Sequence, residues 1–128
     1  MMNVPDFRSL DGRVVLITGG AGHIGSRLRS AFRSAGSSVA TIDVAGRGDE
    51  PADDGWAHFQ VDLSDRESVS STVDSVIERF GRLDVVIAAA SWMGTATTPG
   101  WNVPFPEQDE GLWPEVLDVG VTSTFALV

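Results

Sequence analysis

The stretch Arg13–Gly25, RVVLITGGAGHIG, decides how this chain folds. Its first half, Arg13 to Thr18, is a short unbroken apolar run rich in β-branched residues, the pattern of a strand buried on both faces. Its second half is punctuated by Gly19, Gly20, Gly22 and Gly25. Beyond it Ile24, Leu28, Ala31, Phe32 and Ala35 recur at helical spacing, and Gly36 stands where a helix stop belongs. The segment predicts strand, glycine-rich turn and amphipathic helix in direct succession.

Working outward, Ser38 to Asp43 reads as a second short apolar strand, and the polar, aperiodic stretch Ala45 to Gly55 as a loop. Ala57 to Val61 is a third strand. Ser64-Asp65-Arg66-Glu67 matches the reciprocal capping box that opens a helix, and Val69, Val73, Val76, Ile77 and Phe80 then mark one buried face. Gly81 closes that helix and Leu83 to Ala90 forms a fourth strand. A long loop from Ser91 to Gly111 carries Trp92 and Trp101. Leu112 to Val128, with Leu112, Val116, Val119 and Phe125 at roughly helical spacing, completes the chain. Strands alternating with crossovers imply right-handed β-α-β units. The expected architecture is α/β: a Rossmann-like doubly wound parallel sheet, incomplete at about four strands with flanking helices, in one domain over residues 1–128.

Gly20-Ala21-Gly22-His23-Ile24-Gly25 fits G-x-G-x-x-G. The pattern is weak alone, but here it follows a strand, opens a helix and precedes Asp43, at the end of the next strand, by about twenty residues. In that context Gly20 permits the tight turn, Gly22 lets backbone approach a pyrophosphate, and Gly25 allows close packing of helix on sheet. Unpaired amides at the helix start, aided by the helix dipole, hold the anion without a basic side chain. Asp43 is placed to accept hydrogen bonds from the adenosine ribose and to repel a 2′-phosphate, so the expected cofactor is NAD rather than NADP. Arg47 lies close enough in sequence to accommodate a 2′-phosphate instead. A ligand-free glycine turn and a solvated turn aspartate are the plain alternatives.

Composition agrees. The 128 residues carry a formal charge of −9, which argues against nucleic-acid and anionic-membrane partners, both of which would repel such a surface. A phosphate-bearing ligand must then be held by local dipoles. There is no cysteine, hence no disulfide and no thiolate metal site, and the expected compartment is the cytoplasm. Met1 to Leu10 has no apolar run and reads as a short leader. The loop carboxylates Asp49, Glu50, Asp53 and Asp54 read as solvated rather than as a cation site, so no metal ligand is assigned. His58, beside Trp56, reads as structural, and His23 as a turn residue lining the cofactor side. Trp92, Trp101 and Trp113 fit either a substrate mouth or core.

These features together resemble the short-chain dehydrogenase/reductase family across nearly the whole length. The matching segments are Thr18 to Gly25, Asp43, Asp62-Leu63, Phe80-Gly81-Arg82-Leu83-Asp84, and Trp113 to Phe125. The resemblance implies that Asp62 bonds the adenine amino group with Leu63 beside the ring, although Asp62 or Ser64 could equally cap the next helix. It also implies that Ala88, Ala89 and Ala90 border the cofactor where relatives carry Asn-Asn-Ala, followed by Ser91 in place of glycine. Gly120 falls where relatives use an asparagine in a proton relay. The family's general acid/base is a tyrosine assisted by a lysine four residues on and by a serine. This chain has neither tyrosine nor lysine, its nine basic residues all being arginine. No catalytic residue is therefore assigned.

The expectation is the NAD(H)-binding portion of an oxidoreductase, without its C-terminal catalytic part and inactive as this chain. A small-molecule alcohol or carbonyl substrate would be bound only if that part were supplied. A non-catalytic dinucleotide-binding module, and a fragment of an extended, nucleotide-sugar epimerase-like member, are the rivals. The last helix should expose an apolar face, so self-association or a homo-oligomer is expected.

Overall fold

A computed structural model describes residues 10–128; the leader reading of Met1 to Leu10 falls outside these residues except at Leu10. Four strands form one parallel sheet in the order β3-β2-β1-β4. They are β1 (Val14–Thr18), β2 (Ser38–Asp43), β3 (Trp56–Gln60) and β4 (Val85–Ala88). All five residues of β1 are buried, as the unbroken apolar run requires of a central strand covered on both faces. Leu16 pairs with Ala40 on one side and with Val86 on the other. The fold is the expected Rossmann-like α/β arrangement, with each strand found within two residues of its predicted ends.

Alternation along β1 and β2 splits the core in two. Val15, Ile17, Val39 and Trp56 face α1 (His23–Ser34), which contributes Leu28 and Phe32. Val14, Leu16, Ala40 and Ile42 face α2 (Arg66–Phe80), which contributes Val69 and Val76, and Leu127 near the end of the chain. Each fully buried Leu or Ile contributes about 2 kcal/mol relative to exposure, so both faces are needed to hold so small a sheet.

Several helix details differ from the sequence reading. Ile24 is 69% and Ile77 44% exposed, while Gly25 and Thr72 take the buried positions. The rest of each predicted face packs as expected, Leu28 and Phe32 from α1 and Val69, Val73, Val76 and Phe80 from α2, so only the two isoleucines at the margins depart. The cap of α2 is Asp65, which accepts from the Ser68 N–H at 3.2 Å, and not Ser64 with Glu67. The Ser68 hydroxyl also donates to the Asp65 carboxylate, at 2.7 Å, while the Asp65 N–H donates to the Asp62 carbonyl at 3.1 Å, so the cap is one-sided and the reciprocal box is not formed. Gly81, at φ +79°, ends α2 as predicted, because a left-handed cap costs glycine no Cβ strain.

The loop after β4 contains two short 3-10 turns, at Phe105–Glu107 and Glu110–Leu112. It leads into α3 (Trp113–Leu117), a π-helical turn (Asp118–Thr122) and α4 (Ser123–Ala126). Gly120 lies inside the π turn, where the hydroxyls of Ser123 and Thr124 bond the carbonyls of Val119 and Gly120 at 2.6 and 3.2 Å. Phe125 is 85% exposed, in keeping with the apolar face expected on this helix, while Ser123 and Leu127 are buried.

The acidic loop between β2 and β3 is fastened to α1. Arg29 bonds Glu50 at 2.6 Å while stacking on Trp56, and Arg33 bonds Asp53 at 2.7 Å. These arginines hold the Glu50 and Asp53 carboxyls below the ordinary carboxylate range. Among the described residues no helix is long and apolar enough to cross a membrane.

Candidate dinucleotide cleft

The chain runs outward from β1 through β2 to β3, then returns to place β4 on the other side of β1. The crevice beyond the carboxyl ends of β1 and β4, where strand order reverses, is where open α/β sheets accept ligands. A cleft of about 760 Å³ lies there. One wall is the glycine turn and the start of α1; the other is the chain leaving β4.

The glycines divide the work differently from the sequence reading. Gly19, not Gly20, has the left-handed backbone, at φ +71°, and lies against Ala90. Gly20 is required by packing: a Cβ there would stand 2.3 Å from Cβ of Thr41. Gly25 presses on the turn itself, since its Cβ would fall 2.1 Å from the Gly19 carbonyl oxygen. Gly22 caps α1 with ordinary extended backbone (φ −77°, ψ 173°), and the nearest atom to an added Cβ is 3.3 Å away. No side chain caps α1, so its first-turn amides, those of His23, Ile24 and Gly25, open toward the cleft with the positive end of the helix dipole.

Asp43 closes β2 beside this turn. Its Oδ2 accepts from the Ala21 N–H at 2.9 Å and its Oδ1 from the Ala45 N–H at 3.0 Å. Each oxygen keeps a further lone pair. Asp62 uses only Oδ1 internally, for the backbone N–H and hydroxyl of Ser64 at 2.9 and 2.8 Å; Oδ2 has no partner among the described residues. Asp62 therefore shapes the approach to α2 without being its cap. Leu63 is buried, with its side chain on the same wall.

Of the predicted binding residues, Gly19, Gly22, His23, Ile24, Gly25, Asp43, Asp62, Leu63, Ala89 and Ala90 all line the cleft. Gly20 does not; it faces a smaller hollow shared with Arg47. Ala88 does not either: it is the last residue of β4, exposed outside the cleft. Sequence reasoning missed Thr18, whose hydroxyl accepts from the Ala90 N–H at 3.1 Å and so ties the two walls. A polar residue closing an apolar strand was the available signal. Trp92, Met93, Thr95 and Thr98 extend the wall. Trp92 lines the cleft with Trp101 stacked edge-on at 4.8 Å, whereas Trp113 is 60% exposed and lies away from it. His58 is structural as expected, bridging the Thr41 hydroxyl and the Ala45 carbonyl at 2.9 Å each.

Comparison with known proteins places this geometry in a family context. The family model described as short chain dehydrogenase matches residues 13–128. The chain is 33% identical, over 95% of its length, to D-threitol dehydrogenase of Mycolicibacterium smegmatis, of which it covers 46%. A short-chain dehydrogenase/reductase of Brucella melitensis, described as glucose/ribitol dehydrogenase, superposes with a TM-score of 0.77 at 23% identity, over 91% of this chain and 47% of that one. A short chain dehydrogenase of Leptospira borgpetersenii with bound NAD+ superposes with a TM-score of 0.69 at 25% identity, over 99% and 48%. The chain thus spans about half the length of the relatives it matches.

Proposed function

This chain belongs to the short-chain dehydrogenase family, and on that premise we propose that it is the NAD(H)-holding part of an oxidoreductase acting between an alcohol and a carbonyl. The observation that carries the reading is the uncapped start of α1 at the floor of the cleft. The turn needs glycine at 19, 20 and 25 for its own packing, whereas an added carbon at Gly22 would meet only the Gly19 carbonyl oxygen, at 3.3 Å, and its other sides are open. Room there is what a diphosphate needs to reach the amides of His23 and Ile24.

The remaining walls suit the rest of a dinucleotide. Asp43 offers its spare lone pairs to the ribose hydroxyls and repels a 2′-phosphate; Asp62 Oδ2 offers an acceptor to the adenine amino group, and Leu63 an apolar seat for the ring. Ala89 and Ala90 leave space for the chain of the cofactor to pass β4. When bound, NAD would accept or deliver hydride at its nicotinamide ring. The residues of this chain bind and orient; the tyrosine and lysine that the family uses for proton transfer are absent from them. A group outside these residues would then supply the proton for turnover, and the chain alone is expected to be inactive.

Calorimetric titration tests the reading. NAD should bind saturably and more tightly than NADP, and Asp43→Ala should narrow the gap between them. No saturable binding of either by folded protein would refute the assignment. A gap unchanged by the substitution would remove the ribose role from Asp43.

A further inference from the structure

The glycine turn is held in shape by a side chain from a different element. Its amides can be followed one at a time. Gly20 N–H donates to the Ile42 carbonyl and Gly22 N–H to the Gly19 carbonyl, both at 3.1 Å. Between them, Ala21 N–H has the Asp43 carboxylate as its acceptor, at 2.9 Å. The other carboxylate oxygen accepts from Ala45 N–H, two residues on, an Asx turn that fixes the direction in which the group points. Thr41, on the same face of β2 as Asp43, abuts Gly20. The end of β2 therefore grips the turn at two successive residues on one face, by contact at Gly20 and by a charge-assisted hydrogen bond at Ala21.

We propose that Asp43 is a positioning residue: its carboxylate latches the Gly19–Gly22 turn, through Ala21, in the shape that presents the α1 amides to a diphosphate. The role rests on the dinucleotide reading above but is separate from any contact with ribose. A carboxylate this near a bound diphosphate costs electrostatic repulsion, and two backbone N–H groups offset it. Without the latch, Ala21 N–H has no protein acceptor, and the freedom the turn gains must be lost again when a ligand binds.

A ligand lacking the ribose hydroxyls separates the two roles. Calorimetry of the full chain with ADP and with 2′,3′-dideoxy-ADP is compared for the parent, Asp43→Ala and Asp43→Asn, with amide exchange at Ala21 followed by NMR. The latch predicts that Asp43→Ala weakens the dideoxy ligand by roughly tenfold and ADP by more, and that Ala21 exchanges faster. Asparagine offers one acceptor oxygen where aspartate offers two, so Asp43→Asn should weaken the dideoxy ligand several-fold. Unchanged amide exchange at Ala21 in folded Asp43→Ala, with ADP weakened and dideoxy-ADP not, would overturn the latch and leave the ribose contact standing. If Asp43→Ala does not fold, the same result in Asp43→Asn overturns it. A parent chain that binds neither ligand sinks the dinucleotide reading itself, and the latch with it.

Discussion

Gly25 and Gly120 both sit in helical backbone, yet their surroundings demand opposite outcomes from alanine. At Gly25 a methyl group would meet the Gly19 carbonyl and the Gly20 Cα, backbone atoms that cannot swing aside. Gly25→Ala should cost roughly 1–3 kcal/mol of stability and distort the turn. At Gly120 nothing lies within 4 Å of the added carbon, so Gly120→Ala should gain up to about 1 kcal/mol. Urea denaturation reads both, and a shift of the two midpoints in the same direction would contradict the space argument. The same residues show how far sequence reaches. The run Gly20 to Gly25 marked a strand-to-helix turn, and the structure has one there. It could not say that Gly19 rather than Gly20 carries the positive φ, since that goes with Ala90, just past β4, and Thr41, in β2, packing against the turn. The Asp43 bond to Ala21 was invisible for the same reason.

Between elements, the clearest fastening is Asp84, at the approach to β4. Its Oδ2 accepts from the Val14 N–H at 2.9 Å, and Oδ1 faces the guanidinium groups of Arg82 and Arg13. The Val14 amide first, then Arg82, lowers its pKa from 3.8 to about 2. A carboxyl whose pKa is lower folded than unfolded stabilises the fold fully above pH 3.8, and that contribution fades as pH falls toward about 2. Asp84→Asn should therefore flatten the acid limb of a thermal-melt profile in that window. An acid limb identical to the parent's would show that Asp84 is not what titrates. Element identities and the packed faces of α1 and α2 were legible because each had its period and stop signal; the margins of those faces were not. Ile24 and Ile77 fit the periodic pattern yet stay exposed, because how far a face reaches depends on where a small residue such as Gly25 permits close approach. The π turn had no sequence signal beyond Gly120 itself.

Across the whole molecule, Trp113, Leu117, Val121 and Phe125 repeat every four residues and are 60, 48, 62 and 85% exposed. So large an apolar stripe favours association, and the chain should run above monomer mass in light scattering. Phe125→Ser and Val121→Ser together should lower that mass; a monodisperse monomer for the parent would count against the expectation. Strand order has a different consequence, one of timing. β1 is made first but sits inside the sheet, and its contact with the approach to β4 joins residues 70 apart in sequence. As the ribosome releases the chain, β1, β2 and β3 can zip together early, while the second flank of β1 stays open until β4 emerges. The crevice straddles that seam, so among these four strands it takes shape only when β4 joins β1. Loop closure over such a span makes that step the slow one.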